Sequence, residues 1–323
     1  MFCGNRTGKD SKRDCMTRAD EKRPGRICFL CRPARGRADP AGAELEAART
    51  GLAGMGFSCR IIRTGSPGQA AAAVRDMEET LFVTDSGEIL AALREQGKNA
   101  AAYLHGGNPG ESFPGADYLI QEPGWIDADS WNKIYQRLSG YPWFILETDR
   151  CLVREFVPED LDAIYDLYDE EALRWLQPPS EDRGREQEIL KAYISRIYGL
   201  YGYGHWAILY KETGQLIGRT GFSAPTAADS LGEDACFGYL TAGPFRRQGL
   251  TLEVCRALLG YGFTMLGFET VSAGADRENT ASLAMLERLG FRARAERQGQ
   301  IFYLLQKEAF LHNSLGEKAG GQT

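Results

Sequence analysis

The chain has 323 residues, 38 Lys and Arg against 44 Asp and Glu, and a formal net charge of −6. At about 100–200 residues per domain the length points to two domains, and 43% apolar with 25% charged residues is ordinary for a folded soluble chain. No apolar run approaches the roughly 18 residues of a membrane span, and no apolar stretch of about 7–15 residues follows the start as in a secretion signal, so a cytoplasmic protein with no membrane partner is expected.

Residues 1–37 carry eleven Lys and Arg against Asp10, Asp14, Asp20 and Glu21, a net +7 that leaves −13 for the rest. With little apolar periodicity, 1–38 reads as a disordered basic tail. A basic arm can touch nucleic acid or an anionic surface, but the acidic body argues against nucleic acid as the main partner. Eight cysteines are scattered along the chain. Cys28 and Cys31 form a CxxC with no second pair, and His105, His205 and His312 are remote in sequence, so no metal site is expected; reduced thiols are.

Residues 39–140 alternate helix and strand patterns. AGAELEAARTGLAGMG is a helix pattern closed by glycines, and CRII (59–62) a short strand. Ser66-Pro67 reads as a cap and first-turn proline for the next helix. LFVTD (81–85) is a strand, SGEILAALREQG a helix stopped by Gly97, AAAYL and DYLI are strands, and DADSWNKIYQRLSG closes the domain. The alternation implies a small parallel, Rossmann-like sheet covered on both faces.

The rhythm changes after SGYPW (139–143). CLVREF is a strand, Pro158 opens the amphipathic helix PEDLDAIYDLY, and REQEILKAYISRIYGL is a second helix. HWAILYK and LIGRTGFSA form an antiparallel hairpin. ACFGYLT (235–241) then runs through GPFRRQG into the helix TLEVCRALLGYGFTML. The strand FETVSAGA, the short helix NTASLAMLERLG and the strand pair FRARAE and IFYLLQK complete the domain, leaving 311–323 as a flexible tail.

The stretch GPFRRQGLTLEV (243–254) sets two arginines and a glycine at a strand-to-helix turn. The first amides of a helix have no internal partner, and with the helix dipole they favour an anion. Gly249 removes the Cβ that would block its approach, and Arg246 and Arg247 add charge-assisted donors. A solvated basic turn would use the same residues.

Residues 151–307 resemble the GNAT superfamily of acetyl-CoA-dependent N-acetyltransferases, in particular its ribosomal-protein N-terminal acetyltransferase branch. The order of elements agrees. The Q/R-x-x-G-x-G/A signature maps onto Arg246, Arg247, Gln248, Gly249, Leu250 and Thr251, and the Asn-x-x-Ser…Gly-Phe signature onto Asn279, Ser282, Gly290 and Phe291. GYGHWAILYKETGQLIGRTGFS is similar to that branch's hairpin. The resemblance implies a mixed-sheet α+β domain over 147–310 with a splayed central strand pair. It implies acetyl-CoA as cosubstrate, with the pyrophosphate on the amides of about Arg247–Thr251 and the pantetheine along Tyr239, Leu240 and Thr241. Asn279 and Ser282 would reach the arm from the other side, and an amine, small molecule or protein N terminus, would be the acceptor. Thr251 and Cys236 depart from the family pattern, the latter standing where the branch often has a glutamate.

Amine acetylation needs a proton acceptor and oxyanion donors. Asp234, then Glu233, then His205 are the candidate bases. Cys236 reads as a small buried residue, and Leu286, at the position of the tyrosine acid of some GNAT enzymes, as core. Tyr201 and Tyr203 are a candidate rim over the acceptor, and the acidic YDEEALRWLQPPSED (168–182) suggests attraction of a cationic amine. The first domain is faintly similar to haloacid-dehalogenase-type domains. However, LFVTDSGE supplies Asp85 with Gly87 in place of a second acid, and Asp127 and Asp129 sit at a helix start, so it reads as non-catalytic. Two alternatives stay open: a CoA-binding protein without turnover, and a phosphatase-like first domain carrying the activity.

Overall fold

The computed structural model describes residues 22–33, 41–225 and 231–312. The chain divides into two compact units, Met1–Trp143 and Phe144–Thr323. The expected tail 311–323 lies outside the described residues apart from 311–312, and so does most of the expected basic tail.

The first unit is built on five parallel strands: β1 (Arg26–Cys31), β2 (Ser58–Arg63), β3 (Thr80–Thr84), β4 (Ala100–Tyr103) and β5 (Leu119–Ile120), in the order β2-β1-β3-β4-β5. This is the flavodoxin-like doubly wound order. Four helices accompany them: α1 (Gly42–Gly54), α2 (Pro67–Val74), α3 (Gly87–Glu95) and α4 (Ala128–Leu138). Strand β1 corrects the reading of 1–38 as tail. Its residues alternate between two cores: Ile27, Phe29 and Cys31 pack with Leu45, Leu52 and Trp131, and Cys28 and Leu30 with Ala70, Val74, Leu90 and Leu93. A strand covered on both faces has no polar side, so RICFLC is a plain apolar run. The same alternation sends the two CxxC thiols to opposite faces, and burial pushes the Cys28 thiol up to about 12.

The second unit is an eight-stranded mixed sheet: β6 (Phe144–Glu147), β7 (Cys151–Arg154), β8 (His205–Tyr210), β9 (Gln215–Ser223), β10 (Ala235–Thr241), β11 (Thr270–Asp276), β12 (Arg292–Arg297) and β13 (Gln300–Gln306), in the order β12-β13-β11-β10-β9-β8-β7-β6. Strand β6 was not expected. Where a longer helix was read from Pro158, the chain makes a 3-10 turn (Pro158–Asp160) and the short α5 (Leu161–Tyr165). Helix α6 (Arg183–Ala192), capped by Asp182, passes through a π turn (Tyr193–Ile197) into α7 (Tyr198–Tyr201). Helices α8 (Leu250–Thr264) and α9 (Thr280–Arg288) follow. The core joins Trp206, Phe222 and Phe237 of the sheet to Val254, Leu258 and Phe263 of α8 and to Leu286 of α9, so Leu286 packs as expected. Tyr203 packs edge-on to Phe222 and Phe268 rather than standing as a free rim.

Candidate functional site

Strands β10 and β11 are parallel neighbours but pair only at Ala235–Val271 and Cys236–Ser272. Beyond that point β10 continues to pair with β9 as far as Thr241, and β11 with β13 as far as Asp276. The edge of β10 from Phe237 to Thr241 is thereby left open, and a cleft begins at Cys236 and Ser272. Tyr239 crosses to α9, its hydroxyl 2.9 Å from the Ser282 hydroxyl, while the Asn279 side chain caps α9 by accepting from the Ser282 amide at 3.1 Å. Leu240 and Leu250 are buried, so only their backbones can face a ligand.

The open edge leads to the amino end of α8. Arg247 (φ 60°) and Gly249 (φ 78°) both take left-handed backbone conformations, a geometry that turns successive amides toward one point. No side chain caps the helix, and the amides from Arg247 to Leu252 have no acceptor among the described residues. The Arg247 side chain is exposed. Arg246 is not the free donor that the sequence suggested. Its guanidinium binds the Thr241 carbonyl at 2.8 Å, Asp169 at 2.8 Å and Glu171 at 2.9 Å, so it anchors the turn. Gln248 folds back on the Pro244 carbonyl. Thr251 does not crowd the amides freely, because its hydroxyl lies 2.8 Å from that of Thr241. A cation that the sequence did not reveal stands at the same turn: Arg150 donates to the Gln248 carbonyl at 3.0 Å and to Glu253 at 2.7 Å. Its partners lie about a hundred residues away, which no local motif records.

At the start of the cleft the three candidate bases separate. Asp234 is occupied elsewhere, with Oδ2 accepting from the amides of Glu269 at 2.8 Å and Thr270 at 2.9 Å. Glu233 is buried, and its Oε1 accepts from the Ser272 hydroxyl at 2.9 Å and the Cys236 thiol at 3.5 Å. Cys236 thus belongs to a polar cluster and is half-buried, where the sequence predicts a small buried residue. Burial alone would raise the Glu233 carboxyl, but hydrogen bonds from its own amide and that of Leu231, with Ser272 and Cys236, outweigh it and hold it below the usual carboxylate range. His205 lies on the same face, its ring over Gly238: a Cβ there would meet its Cε1 at 2.9 Å. Tyr193 accepts from the His205 amide, and Tyr198 donates to its carbonyl. Burial, with Arg219 adding to it, pushes the imidazole down to about 4, so it is neutral at neutral pH, and its Nδ1 is buried with no partner among the described residues.

The acidic segment expected to attract a cationic amine is largely spent within the protein. Asp169 and Glu171 hold Arg246, and Asp182 caps α6. In the first unit, Asp85 accepts from the Arg32 amide at 2.9 Å and lies 3.4 Å from His105 Nε2. A Cβ at Gly87 would run into the Ser112 carbonyl, so no acid fits there, and Asp127 caps α4.

Residues 150–292 match the family model described as the acetyltransferase (GNAT) domain, and the second unit accordingly carries a GNAT acetyltransferase domain. Among curated proteins the chain is 29% identical over 150 residues to the uncharacterized N-acetyltransferase YoaA of Bacillus subtilis (strain 168), covering 46% of this chain and 82% of that protein. It is 27% identical to the uncharacterized N-acetyltransferase p20 of Bacillus licheniformis, covering 45% and 81%. Among solved structures, a ribosomal-protein-S5-alanine acetyltransferase from Vibrio fischeri superposes with TM-score 0.43 at 16% identity, covering 50% of this chain and 96% of that one.

Proposed function

We propose that the protein transfers the acetyl group of acetyl-CoA to an amine. The observation that carries the reading is the continuity between the open edge of β10 and the uncapped, left-handed turn at Arg247–Gly249. An extended amide-bearing arm ending in a diphosphate matches an open strand edge ending in free amides. The residues present fit that cosubstrate. The amides from Arg247 to Thr251 would hold the pyrophosphate, Arg150 and Arg247 would add positive charge, and the backbone of Tyr239–Thr241 would hold the arm. When bound, acetyl-CoA supplies the activated acyl carbon.

The reaction joins the amine nitrogen to the acetyl carbon and breaks the carbon–sulfur bond. An ammonium thereby yields an amide, CoA thiol and one proton. A backbone amide on the open edge of β10 is suited to the developing oxyanion. Of the candidate bases, Glu233 fits best, because its ionised carboxylate lies at the start of the cleft, where it can draw in the ammonium and accept its proton through water. Asp234 is held by backbone amides, and His205 is too weakly basic. The non-catalytic reading of the first unit fits the lack of room for a second acid beside Asp85.

Calorimetry with acetyl-CoA, followed by release of free CoA thiol on adding an amine panel, tests the reading. Binding is expected in the wild type and its loss in Gly249→Glu, which sets a carboxylate among the amides. Unchanged affinity in that variant would overturn it.

A further inference from the structure

On the His205 side of the sheet lies a cavity of about 180 Å3. Phe156, Leu161, Ile164 and Leu190 wall it, and His205 and Arg219 close it on the sheet side. Arg219 is half-buried, yet no carboxylate pairs with it among the described residues; its guanidinium lies 5.6 Å from the ring of Tyr168. A desolvated cation without a counter-charge is costly unless a ligand supplies one. Of the groups around it, Tyr168, Tyr193 and His205 are neutral, and the buried Glu155, which shares Tyr193 with it as a neighbour, makes no ion pair with it among the described residues. The remaining acid on the wall, Glu186, already accepts from the Ser180 amide.

The register places this cation relative to the cleft. Arg219 is opposite Leu240, and Gly221 is opposite Gly238 and beside His205. Arg219 and the His205–Gly221–Gly238 row are therefore two residues apart on one face, about 7 Å along the strand. We propose that the acceptor is an α-amino acid with an apolar side chain, bound by its carboxylate on Arg219, with its amine toward Gly238 and its side chain in the cavity. A single guanidinium matches one carboxylate in charge and in fork geometry, and Glu186 on the wall disfavours a dianion such as phosphate. This rests on the acetyl-transfer reading. In the product the new N–C bond leaves an amide beside an unchanged carboxylate, with CoA thiol and one proton released.

The test compares CoA-thiol release from free apolar L-amino acids with that from their amides and decarboxylated amines, in wild type and Arg219→Gln. The free acids are expected to have a kcat/KM about ten- to hundredfold above the amides. Arg219→Gln should remove that advantage by raising KM for the acids far more than for the amides, with acetyl-CoA affinity retained. Equal use of acid and amide would overturn the proposal, as would equal loss of both in the variant, preference for peptide N termini, or no turnover of any acid by a protein that binds acetyl-CoA. Failure to bind acetyl-CoA at all would instead sink the acetyl-transfer reading beneath it.

Discussion

Glu233 and Asp234 are adjacent carboxylates with different partners: one meets Ser272 and Cys236 at the start of the cleft, the other ties down the amides of Glu269 and Thr270. Removing the charge at the first should therefore cost catalysis and removing it at the second should cost stability. Glu233→Gln is expected to lower kcat by about 100-fold or more with acetyl-CoA affinity retained; an unchanged kcat would assign proton removal to water alone. His205 yields a pH prediction. Its folded value of about 4 lies below the ordinary 6.5. Above pH 6.5 both folded and unfolded chains keep the ring neutral. Below it the unfolded chain takes up a proton that the folded chain refuses until about pH 4, so stability falls across that window, by on the order of 3 kcal/mol. Urea unfolding of wild type and His205→Gln over this range should show the wild type losing more; parallel curves would refute the buried neutral ring.

At the scale of elements, the strand-to-helix turn was legible because its demands are local: a glycine at φ 78° and a helix start leave a mark in consecutive residues. What the arginines do was not legible. Arg246 faces Asp169 and Glu171 more than seventy residues away, and Arg150 reaches Gln248 and Glu253. Arg219 looks like any strand arginine until the absence of an ion pair to it among the described residues is seen. Strand β1 was missed for a related reason: two-sided burial erases the period-2 signal, and basic residues flank the run. The turn also supports a prediction. Arg150→Ala removes a cation beside Gly249 that is 45% exposed as a side chain, so the loss of acetyl-CoA affinity should be tenfold or less, about 1 kcal/mol. It should shrink further as salt screens the interaction. Calorimetry at low and high salt measures both, and a loss that does not respond to salt would mean that Arg150 acts only by bracing Gln248 and Glu253.

Over the whole molecule, each unit has hydrophobic cores of its own: two flank the parallel sheet of the first, and one joins the mixed sheet to α8 and α9 in the second. A ligand that binds only the second should stabilise only the second, by about 2.7 kcal/mol at a hundredfold excess over Kd. Scanning calorimetry of the full chain is thus expected to show two transitions, one of which moves up with acetyl-CoA. Two substitutions identify them. Asp85→Asn weakens a buried carboxylate that binds the Arg32 amide and neighbours His105, at a cost of about 1–3 kcal/mol, and should lower only the transition that acetyl-CoA leaves in place. Gly249→Glu should cancel the acetyl-CoA shift of the other. If Asp85→Asn also removes the shift, the first unit takes part in cosubstrate binding, and its assignment as a non-catalytic unit independent of the acetyl-CoA site fails.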